Sequence, residues 1–367
     1  MAKAYIAEHT FTGDAWLKDH AVIVDDGMIS SLVPVNEVPA DTDTEYFPHH
    51  ILAPAFIDLQ IYGAYDKLFS IHPDAQALSL LHEYCLHGGT AFCMPTVATN
   101  EPQVLYQCID AIRTYRQAGG QGILGLHAEG PWINTLKRGA HVEALVHHPS
   151  VQEVEELIHY GKDVIRIITL APEVCSKEVI ELIRSAGIRI FAGHSNASYE
   201  EATDSFNHGI TAVTHLYNAM SGLQHRSPGL VGATLDHDTV MASIIPDGIH
   251  VDHAAVRIAK KIMQHRLFAI TDAVTTTTQG YYKHSFDGDK YTADTILSGS
   301  ALTMYKALQN LVKHVGIDTG EALRMCSLYP AQAMQLDNKL GRLAAGYKAK
   351  MVLLPSSLDN SNTRVIE

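Results

Sequence analysis

Residues 122–132 read Gly-Ile-Leu-Gly-Leu-His-Ala-Glu-Gly-Pro-Trp. The apolar run Gly122 to Leu126 reads as the inside of a protein, and a Gly-Pro pair breaks it three residues after His127. A short apolar run closed by a turn signal is what a buried strand looks like. Glu129 then stands at the far end of that strand. A carboxylate there is costly unless something cationic meets it.

The stretch is one of a series. Short apolar, β-branched runs at 51–60, 90–97, 122–129, 164–170, 188–194, 210–215, 239–245 and 267–271 alternate with helical patterns. Residues 74–87 and 102–117 carry apolar side chains at three-and-four spacing, as an amphipathic helix requires. Ser150 with Glu153, and Ser198 with Glu201, have the spacing of a capping box. Gly88-Gly89, Gly119-Gly120, Gly187 and Gly209 fall where helices should stop. Such a row of strand–helix units predicts an α/β fold, a (β/α)8 TIM-like barrel. A doubly wound sheet is the rival, and the regularity of the nearly all-apolar strands favours closure. Two insertions interrupt the rhythm, a Gly-, Pro- and His-rich one at 221–238 and a hairpin-like one at 279–297.

The ends differ. Residues 20–38 read as a hairpin turning at Asp26-Gly27, and 341–354 as another short strand pair. Neither can bury its apolar face alone. Together they are expected to form a small β-sandwich, so the domain reading is sandwich at 1–50, barrel at 51–338 and sandwich again at 339–367.

Composition bounds the rest. In a chain of 367 residues, 46% are hydrophobic and 18% charged, which is enough for a large core. The net charge of −13 argues against a nucleic-acid partner but not against a small anionic substrate. The five cysteines form no C-x-x-C pair, as expected of reduced thiols in a cytoplasmic protein. The first residues lack the apolar core of a signal peptide, and no apolar run approaches the roughly 18 residues of a membrane span.

In a barrel the working residues sit at the C-terminal ends of the strands. Those ends carry Glu129, His194, His215, the segment Asp247-Gly-Ile-His250, and Asp272. Any one of them alone reads as a hydrogen-bonded structural residue. Jointly, one carboxylate and two histidines make a three-ligand site for a divalent cation with room for a water. Asp272 is then placed to take a proton from that water and pass it to a leaving group.

These stretches resemble the amidohydrolase superfamily and, within it, the N-acetylglucosamine-6-phosphate deacetylase family. The resemblance rests on Pro54-Ala-Phe-Ile-Asp58, His127-Ala-Glu-Gly-Pro-Trp132, Leu170-Ala-Pro-Glu173, Ala192-Gly-His-Ser-Asn196, Thr214-His-Leu-Tyr-Asn-Ala-Met220, Pro246-Asp-Gly-Ile-His-Val251, Thr271-Asp-Ala273 and Leu297-Ser-Gly-Ser300. It implies that Glu129, His194 and His215 bind one divalent metal ion per subunit, zinc first, with iron or cobalt as alternatives. It implies that Asp272 is the acid/base and that His141 polarises the acetyl carbonyl. It further implies that Asn218, Ala219 and Ser298 contact the sugar, and that Arg226 and His250 contact the phosphate of a homodimer's shared site. The implied reaction is hydrolysis of the N-acetyl amide of N-acetylglucosamine 6-phosphate. A different N-acyl amino sugar, such as N-acetylgalactosamine 6-phosphate, and a catalytically silent sugar-phosphate-binding barrel are the alternatives. Many amidohydrolases carry His-x-His at the end of strand one. Here the place reads Gln60-Ile-Tyr62, which implies one metal, and Tyr62 replaces the Asn usual in this branch.

Overall fold

The computed structural model describes residues 2–293, 295–359 and 363–366. All eight expected barrel strands are present: β1 (Phe56–Ile61), β2 (Thr90–Ala98), β3 (Leu126–Glu129), β4 (Ile165–Leu170), β5 (Arg189–Ala192), β6 (Ala212–Val213), β7 (Met241–Ile244) and β8 (Leu267–Ala269). They lie side by side in chain order, without the reversal that marks a doubly wound sheet. Past the ends of β1 and β8 the ring joins. The Asp272 amide donates to the Gln60 carbonyl at 3.0 Å and the Tyr62 amide to the Ala273 carbonyl at 2.9 Å. The result is a parallel (β/α)8 barrel.

Every residue of β1, β3 and β8 is buried, as is every residue of β2 except Ala98. Strands covered on both faces lose the alternation of a half-exposed strand, so continuous apolar runs were the right signal. The helices start where the local chemistry directs. Ser150 and Ser198 each accept from the backbone three residues on while Glu153 and Glu201 bond back, which completes both capping boxes. The second expected helix runs Pro102–Gln117, with proline at its first turn.

Three boundaries depart from expectation. The run 51–60 is two strands: Ile51–Pro54 ends a long strand, Asp43–Pro54, of another sheet, and only Phe56–Ile61 enters the barrel. Much of the supposed insertion at 221–238 is a barrel helix, Gly229–Asp236, buried over nearly its whole length. The segment at 279–297 contributes to a three-stranded antiparallel sheet, His284–Asp287, Lys290–Ala293 and Ile296–Ser300, not a simple hairpin.

The chain divides into two compact units. One comprises Leu59–Tyr84 and Cys93–Leu302, the other Met1–Asp58, Cys85–Phe92 and Thr303–Glu367. The second unit holds a seven-stranded sheet drawn from both ends of the chain. Its hairpin turns at Asp26 (φ 49°) and Gly27 (φ 69°), the positive pair a two-residue turn demands. Alternate residues feed two apolar layers: Tyr5, Ala7 and Val22 pack with Leu52 and Met351, whereas Ala4 and Ile6 pack with Ala21 and Ile23. The expected strand pair at 341–354 is a single strand, Met351–Pro355, paired with Asp43–Pro54 and with Arg364–Ile366.

Replacing Ser198 with Ala removes the cap of the helix Tyr199–Asn207 without touching a barrel side chain. We expect a loss of about 1 kcal/mol and faster hydrogen exchange in that helix. Unchanged exchange would show that the cap does not hold the helix start.

Candidate active site

The C-terminal ends of the strands converge as the barrel requires. Glu129 closes β3, His194 and His215 each follow their strand by two residues, and Asp272 follows β8 by three. The last three adopt left-handed backbone conformations, with φ of 48°, 35° and 53°. Non-glycine residues are held there at a cost of about 1–3 kcal/mol each, and such strain gathers at functional sites.

Glu129 is the hub. It is only 2% exposed, yet polar groups from several strands reach its carboxylate. Oε1 lies 3.0 Å from His215 Nε2, 3.2 Å from His194 Nε2 and 3.0 Å from the Gln60 amide nitrogen. Oε2 accepts from the Tyr62 hydroxyl and lies 3.3 Å from His141 Nε2. The two imidazole nitrogens of His194 and His215 are 3.2 Å apart. Burial pushes the Glu129 carboxyl toward neutrality, but hydrogen bonding, from the His141 imidazole among others, holds it well below the usual carboxylate range. Burial lowers the His215 imidazole and takes His141 down to about 4, so both are neutral at pH 7.

The other ring nitrogens separate the roles of the histidines. His194 Nδ1 lies 3.0 Å from the Lys137 carbonyl, which can only accept. In the neutral ring, the form that binds a metal, the proton is therefore on Nδ1, and Nε2 presents its lone pair to the Glu129 carboxylate. Lone pair against carboxylate is repulsive unless a cation lies between them, so this donor set fits a divalent metal. His141 is the opposite case. The Thr99 amide donates to its Nδ1 at 3.4 Å, and the Thr99 hydroxyl is 2.7 Å away. That places the proton on Nε2 and makes His141 a hydrogen-bond donor toward the cavity. Distance alone also groups His141 with Glu129 and His194, since their ligand atoms fall within 4.8 Å of one another. The tautomer argument sets His141 aside, and His215 Nε2, 3.0 Å from Oε1 and 3.2 Å from His194 Nε2, is the remaining imidazole nitrogen at the cluster.

These groups line one cavity of about 320 Å³. Of the other residues named from the sequence, Asn218, Ala219, His250, Asp272 and Ser298 line it too. His250 is fixed by its neighbour: Asp247 accepts from the His250 amide at 2.8 Å and from Nδ1 at 2.6 Å, so Nε2 is the nitrogen left for a ligand. Arg226 is not brought in; it lies exposed on its loop.

Sequence reasoning missed several residues of the site, of which Tyr62, Tyr282 and His284 line the cavity. Tyr62 was noticed only as a departure from a pattern, and Gln60 only as a missing histidine. Tyr282 comes from the segment between β8 and the three-stranded sheet and is stacked on His284, which opens the first strand of that sheet with its Nδ1 at 2.9 Å from Ser298 Oγ. No local signal in 279–297 separates inward-facing from outward-facing residues.

Comparison with known proteins agrees with this geometry. Residues 51–366 match the amidohydrolase family, and residues 7–46 match the NagA composite domain. An N-acetylglucosamine-6-phosphate deacetylase of Haemophilus influenzae is 32% identical over 92% of this chain and 91% of its own length. An N-acetylgalactosamine-6-phosphate deacetylase of Escherichia coli O157:H7 is 30% identical over 98% of this chain and 96% of its own. The crystal structure of N-acetylglucosamine-6-phosphate deacetylase from Pasteurella multocida superimposes with a TM-score of 0.94 at 32% identity, covering 100% of this chain and 97% of that one. With its barrel, its cluster of acid and histidines and these relatives, the chain belongs to the amidohydrolase family.

Proposed function

We propose that this protein hydrolyses the N-acetyl amide of N-acetylglucosamine 6-phosphate, releasing acetate and glucosamine 6-phosphate. The observation that carries the reading is the convergence in one cavity of a buried carboxylate, the Nε2 atoms of His194 and His215 beside it, a neutral imidazole donor and a further acid, Asp272. The similarity to deacetylases of hexosamine phosphates over nearly the whole chain supports the substrate class.

Glu129 Oε1, His194 Nε2 and His215 Nε2 would hold a single divalent cation. When bound, it supplies Lewis acidity and brings the pKa of a water toward neutrality. One oxygen and two imidazole donors suit zinc, with iron or cobalt also acceptable. His141 donates from Nε2 to the acetyl oxygen as negative charge develops there. Asp272 takes the proton of the attacking water and delivers it to the amide nitrogen, so the C–N bond breaks to give a neutral amine. Asn218, Ala219 and Ser298 contact the sugar. His250 takes the phosphate within this chain's cavity, and the exposed Arg226 reaches the phosphate of the other subunit in a homodimer. A planar guanidinium offers a phosphate two parallel hydrogen bonds. Five cysteines without a disulfide fit a reducing compartment, and we assign the enzyme to the cytoplasm.

The test is acetate release from the 6-phosphates of N-acetylglucosamine and N-acetylgalactosamine and from their unphosphorylated parents. Preferred hydrolysis of the first is expected. Preference for the galacto compound would transfer the assignment to the second relative's substrate, and phosphate binding without acetate would mean a silent barrel.

Two substitutions divide the roles. Asp272→Asn should lower kcat by at least about 100-fold, a general acid/base contribution, while metal content stays intact; wild-type turnover would remove Asp272 from the chemistry. Arg226→Ala should raise KM far more than it lowers kcat, and unchanged kinetics would place the phosphate elsewhere.

A further inference from the structure

The departure at Tyr62 has a structural consequence. Gln60 and Tyr62 are two residues apart at the end of β1, so both side chains project to the same face. Both meet Glu129, which comes from β3. The Tyr62 hydroxyl donates to Oε2, and the Gln60 amide donates to Oε1 at 3.0 Å and to the Tyr62 oxygen at 2.8 Å. The three side chains form a closed triangle of hydrogen bonds, all of them buried.

The triangle makes the two carboxylate oxygens unequal. Oε2 receives a phenol and faces the proton-bearing Nε2 of His141. Oε1 faces the nitrogens of His194 and His215. Oε1 also accepts from the Gln60 amide, but it alone faces the imidazole nitrogens of the candidate ligands, whereas Oε2 faces the phenol and the His141 donor, and the carboxylate plane cannot rotate without breaking the triangle.

We propose that Tyr62 is a positioning residue of the metal centre, whose phenol, braced by Gln60, holds Glu129 so that Oε1 alone is presented to the cation. The inference rests on the reading of Glu129, His194 and His215 as ligands. Tyr62 also packs in an apolar cluster with Leu68, Val274 and Tyr282. A test must therefore separate the hydroxyl from the ring, and Tyr62→Phe does so.

Wild type and Y62F, stripped of metal, are titrated with Zn(II) and Co(II) against a competing chelator, and the melting temperature of each metal-free protein is recorded. Y62F should bind either ion about 10–100-fold more weakly, the usual effect of losing a partner of a metal ligand. Its Co(II) absorption spectrum should also change, because Oε2 is freed to approach the ion. The metal-free melting temperatures should nearly coincide, since the ring remains. Wild-type affinity and spectrum in Y62F would overturn the proposal and leave the metal centre standing. Failure of the wild type to bind either ion would overturn the metal centre itself, and the proposal with it. A lower metal-free melting temperature at unchanged affinity would make Tyr62 a packing residue only. Should Y62F not fold, Gln60→Met removes the brace instead, and the same weakening is expected; undiminished affinity there would overturn the proposal.

Discussion

A carboxylate removed from water at the end of a central strand is the constraint around which this site is organised. An uncompensated charge at the position of Glu129 would cost several kcal/mol, even after local relaxation. The structure compensates it with hydrogen bonds from Gln60 and Tyr62 and with imidazoles from three other segments. Part of that compensation is incomplete without a cation, because His194 commits its proton to the Lys137 carbonyl and turns a lone pair toward the acid. The strained backbones of His194, His215 and Asp272 belong to the same arrangement, since they aim side chains from three strand ends at one point.

The barrel makes this convergence possible. Parallel strands all end on one side, so a residue just past each strand faces a common space. Closure matters as much. The bonds from Asp272 to Gln60 and from Tyr62 to Ala273 that join the last strand to the first also bring the acid/base candidate and the two braces of Glu129 side by side. A break in the ring there would disturb fold and chemistry together.

Much of this could be read from the residues. Buried parallel strands give continuous apolar runs, which located all eight, and chemistry-bearing residues at their ends stood out because nothing apolar explains them. Capping boxes and the Asp26-Gly27 turn were visible because each depends on local side chains. Other features depend on distant partners and were not visible. Whether Ile51–Pro54 continues into the barrel or belongs to the terminal sheet is decided by its pairing with Met351–Pro355, some 300 residues away. The donor role of His141 came from resemblance, and its physical basis is the Thr99 amide on another strand end. Tyr62 looked like an anomaly because its meaning lies in Glu129, which no spacing within Gln60-Ile-Tyr62 reveals. Arg226 is a loop residue whose proposed target lies on another subunit.

The central claim is that Glu129, His194 and His215 share one cation while His141 stands aside as a donor. Anomalous diffraction from crystals of the zinc-loaded protein tests it most directly. The account predicts one strong peak bonded to Glu129 Oε1, His194 Nε2 and His215 Nε2, with His141 Nε2 outside bonding distance. A peak ligated by His141 in place of His215, or no peak among these residues in protein that retains zinc, would contradict it.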